Sequence, residues 1–399
     1  MLLLYGSCIA IAAVGIFELR RHQKRIEQIP LRVNVNGVRG KSTVTRLITG
    51  MLSEADYKVV GKTTGTQART IYWDRTEKPI ERSLEGPNIR EQKEILKHAS
   101  NLESNAFVSE CMAINPDYQR VLQEKFLQAN VSVILNVFED HMETLGPTLK
   151  YVAEAFSSTI PYNGKLILSN GPYFHYFSEI AEKRNTEVYL ANPEEIPDGF
   201  IDKFDYMLFP ENIAAALAVA RAVDIDKRTA LSGMLNANPD PGALRIVTLE
   251  DGSRKRSHFV NGFAANDARS TLEIWSRVRS SSYMTDNPVI IINCREDRVD
   301  RTEEFTKYVL PYLPAEKLIL IGGNVRPITQ AFDQGELPFN SVINLEGEDA
   351  DAILARVKRE ASHSLIFGIG NIHGAAEEFM EKLYDSPETL ISKVGEEAM

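Results

Sequence analysis

Residues 31–52, LRVNVNGVRGKSTVTRLITGML, constrain the fold more than any other stretch. Leu31 to Val35 alternate in the two-residue period of a strand. The chain then passes through Gly37-Val38-Arg39-Gly40-Lys41-Ser42-Thr43. Beyond it, Val44, Leu47, Ile48, Met51 and Leu52 are spaced to share one face of a helix. Strand, glycine-bearing turn, Lys-Ser-Thr and helix make a cradle for a polyphosphate. Gly37 and Gly40 permit the tight backbone, and the first helix N–H groups, at Lys41, Ser42 and Thr43, bind oxygens. The Lys41 ammonium meets the terminal phosphates, and a hydroxyl such as that of Ser42 reaches Mg²⁺. The general pattern GxxxxGK[ST] is incomplete, because its first glycine falls on Val35. What stands here is the shorter GxxGKST form. Nucleotide binding is the first expectation.

With 399 residues, the chain has room for two or three domains. Asp and Glu number 55 against 45 Lys and Arg, a net charge of −10, which argues against a general nucleic-acid binder. Cys8, Cys111 and Cys294 are too few and too scattered for a disulfide framework or a thiolate zinc site, so the body reads as reduced and cytoplasmic. The sixteen residues from Leu2 to Phe17 are almost wholly apolar, and Arg20, Arg21, Lys24 and Arg25 follow them. As a helix the run spans about 24 Å, against about 30 Å of hydrocarbon, a marginal membrane crossing. A signal peptide carries its positive charge ahead of the apolar run. The expectation is therefore a single-pass anchor in the cell membrane with the catalytic body on the cytoplasmic side; a buried N-terminal helix of the soluble body is the alternative.

The short phosphate loop resembles that of Mur-type ATP-dependent amide ligases and folylpolyglutamate synthases. Further motifs agree in chain order. Phe107-Val108-Ser109-Glu110 ends a strand on a carboxylate, as the family's second magnesium-ligating position does. The buried strand Val131 to Val137 leads to Glu139-Asp140-His141, and NVFEDHMETLGPT resembles the family's Asn-x-x-x-Asp-His block. Pro210-Glu211-Asn212 resembles the start of the adenine-contacting helix, and Pro241-Gly242-Ala243-Leu244-Arg245 the segment whose Arg meets the γ-phosphate. Over almost the whole chain the closer resemblance is to ligase subunits of poly-γ-glutamate synthase, the CapB/PgsB type. NGVRGKSTVTRL, GKTTGT, SECMAINPDYQ, EDHMETLGPT, NGFAANDA, DRVDRT and GIGNIHGAAE carry it.

The resemblance implies an ADP-forming ligase that adds glutamate to poly-γ-glutamate through an acyl phosphate, using ATP with Mg²⁺, or Mn²⁺ in its place. In that scheme Lys41 meets the β- and γ-phosphates, and Ser42 and Glu110 hold one divalent ion. His141 holds a second ion, and Arg245 stabilises the transferring phosphate. Asn261 stands where the family has a ribose-binding Asp, and Arg295-Glu296-Asp297-Arg298 where it has an Asp-Arg block that closes over ATP. The carbamylated Lys of many Mur ligases has no counterpart in EAFSSTIPYNGK before Lys165. Only 36 residues precede Gly37, whereas peptidoglycan Mur ligases carry a whole UDP-sugar domain there; a polymer or small-acid acceptor is expected. The implied partners are small membrane subunits and an exported accessory subunit, with a homo-oligomer left open. The competing reading is a membrane-anchored P-loop ATPase or kinase that powers or regulates export of an envelope polymer.

An acidic chain that handles an acidic polymer needs a local basic track, for which Arg39, Arg46, Lys62 and Arg69 are candidates. Arg39 is either a structural loop residue or a binder of the anionic acceptor. Lys62, Thr64 and Thr66 in GKTTGT follow the strand YKVVG. A loop there is either a ligand-binding loop or a simple turn. Buried-strand runs at Val289–Ile292, Leu318–Ile321, Val342–Leu345 and Leu365–Phe367 alternate with helix-compatible segments. GIGNIHG lacks a dinucleotide fingerprint's spacing and reads as a tight turn lining the substrate cleft beside His373. The expected fold is α/β. An anchor and basic flank (1–28) precede a P-loop central domain with a mostly parallel sheet (29–240) and a C-terminal Rossmann-like domain (241–399).

Overall fold

The alternating apolar runs and amphipathic segments of the sequence become two helix-covered sheets in the computed structural model. It describes residues 2–64, 68–82, 90–139, 142–204, 206, 208–240, 246–250, 256–265, 267–280, 287–360, 363–386 and 389–390. The chain divides into two units, one of Met1–Lys203 with Leu208–Pro241, the other of Phe204–Met207 with Gly242–Met399.

In the first unit α1 (Leu2–Glu27) leads into β1 (Leu31–Asn36) and α2 (Lys41–Glu54). Then come β2 (Val59–Lys62), β3 (Arg69–Tyr72), β4 (Glu77–Pro79), α3 (Arg90–Asn101), β5 (Ala106–Glu110) and α4 (Pro116–Val121). β6 (Val131–Ile134), α5 (Met142–Leu145), α6 (Leu149–Ser157), β7 (Lys165–Ser169), α7 (Phe174–Lys183), β8 (Glu187–Ala191), α8 (Pro210–Ala222) and α9 (Lys227–Leu235) complete it. Among the described residues these strands form one sheet in the order β4-β3-β2-β5-β1-β6-β7-β8. Its pairings are parallel from β2 to β8, and β3 and β4 are added antiparallel. β1 is therefore central, and the residues just past its end stand at the C-terminal rim where open α/β sheets bind ligands. On one flank, Phe156, Ile160, Leu166, Leu168 and Phe177 pack α6 and α7 on β6 and β7.

In the second unit β9 (Ile246–Glu250) and β10 (Arg256–Asn261) precede α10 (Ala268–Ser280), β11 (Val289–Cys294), α11 (Val299–Tyr308), β12 (Lys317–Gly322) and α12 (Arg326–Asp333). β13 (Ser341–Glu346), α13 (Ala350–Glu360), β14 (Leu365–Gly370), α14 (Ala375–Asp385) and β15 (Thr389–Leu390) follow. The order is β13-β12-β11-β14-β10-β9-β15 among the described residues, parallel from β13 to β10. Side chains alternate between two cores. Ile290, Ile292, Leu318 and Leu320 join Trp275, Phe305 and Ile328, while Val289, Ile291, Ile319 and Ile321 join Ile353, Val357 and Phe379. Burial on both faces explains why these strands read as continuous apolar runs.

The expected single-pass anchor has no support here. Among the described residues no helix is long and apolar enough to cross a membrane. The helix also continues past Phe17 to Glu27, and its last turns belong to the first unit. His22 and Ile26 are buried, the His22 ring bonds the Phe126 carbonyl at 3.0 Å, and Ile26 and Ile29 pack with Leu96, Phe107 and Leu127. Tyr5, Ile9, Ile11, Val14, Ile16, Phe17 and Leu19 stand exposed.

The phosphate-loop helix α2 is set by a close crossing with α9. A Cβ on Gly233 would lie 2.6 Å from Gly50 O and 2.6 Å from the Met51 Cα, so both helices must be glycine where they touch. We expect Gly233→Val to lower the unfolding free energy by about 1–3 kcal/mol or more. Urea unfolding with an unchanged m value would report it, and an unchanged midpoint would refute the tight crossing.

Candidate active site

β1 delivers the loop. Asn36 Oδ1 accepts the Gly37 N–H at 2.8 Å, and the Asn36 amide donates to Gln119 Oε1 at 3.0 Å from below. Gly37 has φ +132° and Gly40 φ +85°, values that a β-carbon opposes. A Cβ on Gly40 would also stand 2.6 Å from Asn212 Oδ1. Asn212 thus sits against the phosphate loop in the first turn of α8, where Pro210 opens the helix. The loop is held open by Asn136. Its Oδ1 accepts from Val38 N at 3.0 Å and Arg39 N at 2.9 Å, and its Nδ2 donates to Arg39 O at 3.0 Å. The expected strand through Val137 stops at Ile134, because Asn136 spends its side chain on the loop rather than facing a sheet surface.

Lys41 Nζ donates to Gly37 O at 2.8 Å and Val38 O at 3.0 Å, which folds the ammonium over the loop. Ser42 Oγ donates to Glu110 Oε2 at 2.9 Å, and the same oxygen receives the Thr64 N–H at 2.7 Å. Three segments far apart in sequence thereby meet on one carboxylate. Register explains the meeting: Val35 pairs with Glu110, and Lys62 with Ser109, so β1, β5 and β2 end together. Serine and glutamate oxygens are hard donors suited to Mg²⁺ or Mn²⁺, and the pair fits such an ion. A cavity of about 310 Å³ opens beside it, with Lys41, Thr64 and Glu110 on its polar side and Met112, Ile114 and Phe156 on its apolar side.

Other candidates are placed differently. Lys62 is no open substrate contact: its side chain is 0% exposed, and Nζ lies 2.8 Å from Glu91 Oε1. Burial pushes the Lys62 ammonium down, opposed by Glu91 and Glu110. Burial pushes Glu91 up, but the Arg82 hydrogen bond and the Lys62 charge hold it below the usual carboxylate range. Arg46 also leaves the basic track, being buried with its guanidinium 2.6 Å from Glu77 and 3.6 Å from Asp240. Arg39 is exposed and Arg69 half-buried in β3. Thr66, His141 and Arg245 lie outside the described residues. Lys165 is on β7 and its ammonium bonds the Ala222 carbonyl. Cys111, beside Glu110, is buried, and burial pushes its thiol up to about 11.

In the second unit, β10, β14 and β11 are parallel neighbours, so Asn261, the 371–374 turn and Arg295–Arg298 share one rim of that sheet. Asn261 accepts weakly from Phe263 N at 3.4 Å. Asp297 is exposed and takes Arg295 in a two-point contact at 2.8 and 2.9 Å. Arg298 is exposed at the start of α11. His373 is exposed beside Glu377, its backbone carbonyl bonded by Asn293 Nδ2 at 2.9 Å. Sequence reasoning missed Asn293, Gln119 and the buttressing use of Asn136. Asn293 is a polar residue within the apolar strand β11, Gln119 lies on α4 at the end of the SECMAINPDYQ motif, and Asn136 stands just past β6.

A phosphate loop and strand-end carboxylate on one mostly parallel sheet, followed by a second α/β unit, make this a Mur-type ligase architecture. Residues 35–236 match the model of the Mur ligase middle domain, and residues 246–386 that of the poly-gamma-glutamate synthase CapB C-terminal domain. The chain belongs to the poly-γ-glutamate synthase CapB family. It is 54% identical over 386 residues to the PGA synthase CapB of Bacillus subtilis (strain 168), covering 96% of this chain and 98% of that protein. It is 54% identical over 387 residues to the capsule biosynthesis protein CapB of Bacillus anthracis, covering 96% and 83%. The crystal structure of the bifunctional folylpolyglutamate synthase/dihydrofolate synthase of Yersinia pestis, complexed with AMPPNP and Mn ion, shares the fold. Its TM-score is 0.58 at 12% identity, covering 92% of both chains.

Two outcomes follow from this geometry. Asn136→Ala removes three loop hydrogen bonds and should weaken ADP binding about tenfold, roughly 1.4 kcal/mol, by calorimetry; unchanged affinity would show that the loop supports itself. Cys111→Ala should keep ADP release within tenfold of wild type, and complete inactivation would make the thiol a participant.

Proposed function

We infer that this chain is an ATP-dependent, ADP-forming amide ligase that adds glutamate to poly-γ-glutamate. The observation that carries the inference is the Glu110 carboxylate bonded to Ser42 of the phosphate loop and to the Thr64 amide, in a chain of the CapB family. The reading divides the work as follows. The loop amides and Lys41 Nζ bind the β- and γ-phosphate oxygens and offset charge as it builds up. Ser42 and Glu110 hold a divalent cation, which supplies charge neutralisation on the phosphates when bound. An oxygen of the acceptor carboxylate attacks the γ-phosphorus, ADP leaves, and an acyl phosphate forms. The amine of the incoming glutamate then attacks the carbonyl carbon, and orthophosphate leaves with the electrons of the broken C–O bond.

Further roles are proposed on family resemblance: His141 for a second ion, Arg245 for the γ-phosphate, Asn212 for adenine, Asn261 for ribose, and Asp297 with Arg298 for the nucleotide. Thr64, which lines the cavity with Lys41 and Glu110, and the exposed Arg39 of the loop are the proposed contacts for an anionic acceptor. The exposed apolar residues of α1, followed by Arg20, Arg21, Lys24 and Arg25, support association of this helix with a membrane. An anionic polymer made there needs an exit, so membrane subunits are the partners this reading requires.

Labelling the acceptor carboxyl with ¹⁸O tests the chemistry. The label should appear in released orthophosphate, and label confined to polymer and water would exclude the acyl phosphate. ADP release should depend on glutamate, and Lys41→Ala should abolish amide formation. Hydrolysis indifferent to glutamate would instead favour a transport ATPase.

A further inference from the structure

Beside Glu110 lies a network of charges, Lys62 buried and Glu91 and Arg82 half-buried, whose three members do not line the cavity. Lys62, the last residue of β2, has a fully buried side chain with Nζ 2.8 Å from Glu91 Oε1 in the first turn of α3. Glu91 Oε2 takes Arg82 Nε at 2.9 Å. Arg82 Nη2 donates to the Thr64 carbonyl at 3.0 Å, and the Thr64 N–H donates to Glu110 Oε2 at 2.7 Å. The next residue of α3 grips the same strand end. Gln92 Nε2 donates to Glu110 O at 3.1 Å, and Gln92 Oε1 accepts from Ser109 Oγ at 2.9 Å. The path from Lys62 to Glu110 is thus continuous, and it passes through the backbone of Thr64, the residue that meets the carboxylate.

A buried ion pair is a poor source of stability, since apolar residues of similar size usually serve as well. What it provides is fixed direction. A carboxylate flanked by two cations, each with its own hydrogen bond, has one orientation, and here that orientation sets where the Thr64 peptide lies. We propose that Lys62, Glu91 and Arg82 are positioning residues for the metal-binding carboxylate: they clamp the Thr64 amide onto Glu110 Oε2 and so hold Glu110 against Ser42, ready to receive a divalent cation. The inference rests on the reading of Ser42 and Glu110 as cation ligands. None of the three clamp residues lines the cavity beside Glu110.

The test is calorimetric binding of AMPPNP to the full-length protein at a series of free Mg²⁺ concentrations, with ADP binding in EDTA as the metal-free reference. Lys62→Met and Arg82→Gln should each raise the Mg²⁺ concentration that half-saturates the AMPPNP response tenfold or more. Affinity for ADP without metal should change less than twofold. Glu91→Gln, which keeps the side-chain shape and one acceptor, should shift the Mg²⁺ requirement less than Glu91→Ala. High Mg²⁺ should restore kcat in all of them, a rescue that a folding defect would not show. Arg82 is half-buried, so Arg82→Gln carries the test if Lys62→Met fails to fold. If AMPPNP binding by the wild type is itself indifferent to Mg²⁺, the ligand reading of Ser42 and Glu110 falls, and the clamp with it. If the wild type needs Mg²⁺ and the variants need the same concentration, only the clamp is overturned.

Discussion

The Glu110 carboxylate receives a hydroxyl from one strand–helix junction and an amide from a second loop, and the rest of the first unit is arranged around that meeting. Ser42 opens α2, Thr64 follows β2, and Glu110 ends β5. Three parallel strands must stop at the same height for these groups to come within hydrogen-bond distance. Parallel pairing of β2, β5 and β1 sets that height, and the rim of the sheet becomes a surface on which a polyphosphate and its cation can be held together. The close crossing of α2 and α9 then sets the direction in which the loop amides point.

Charge is distributed with a similar economy. The chain carries a net −10, yet its substrates in the proposed reaction are anions. Positive charge is therefore expected in the open where those anions arrive, and part of it is found inside instead. Lys62 and Arg46 are buried and neutralised by Glu91 and by Glu77 with Asp240. Arg46 ties α2 to Glu77 on β4 and to Asn238 and Asp240, next to the end of the first unit, so its charge serves geometry rather than attraction. That leaves Lys41 and the exposed Arg39 as cations of the phosphate loop itself. Two point charges at the loop act at short range, where screening by salt is weakest.

Legibility from sequence followed the kind of signal each residue carries. The GxxGKST loop, the strand before it and the helix after it have a period and a motif, and all three stand where the sequence places them. The buried strands of the second unit are also legible, because burial on both faces leaves an unbroken apolar run. Lys62 and Arg46 were misread for a physical reason: a charged residue in a polar stretch looks the same whether it faces water or a buried carboxylate many residues away. Asn136 was recognised as part of a motif, but its work, three bonds to a loop some hundred residues earlier, has no trace in local pattern. The first helix was misjudged at its end, since the apolar run stops at Phe17 while the helix continues and uses His22 and Ile26 to dock.

The short phosphate loop and the Asn136 buttress are two sides of one constraint. In the longer motif the first glycine begins the turn well before the lysine, and the extra residues let the loop wrap a phosphate with its own backbone. Here that position is Val35, fully buried in β1 and in register with Glu110, so it cannot be part of a turn. The turn must then be made between Gly37 and Gly40, and four residues do not suffice to orient the Val38 and Arg39 amides. An acceptor from outside has to do so, and Asn136, just past the end of the neighbouring parallel strand β6, is at the right height to supply it. A shortened loop is thus tolerable on this fold because β6 lies beside β1, and the adjacency of the two strands is as much a part of the proposed nucleotide site as the lysine.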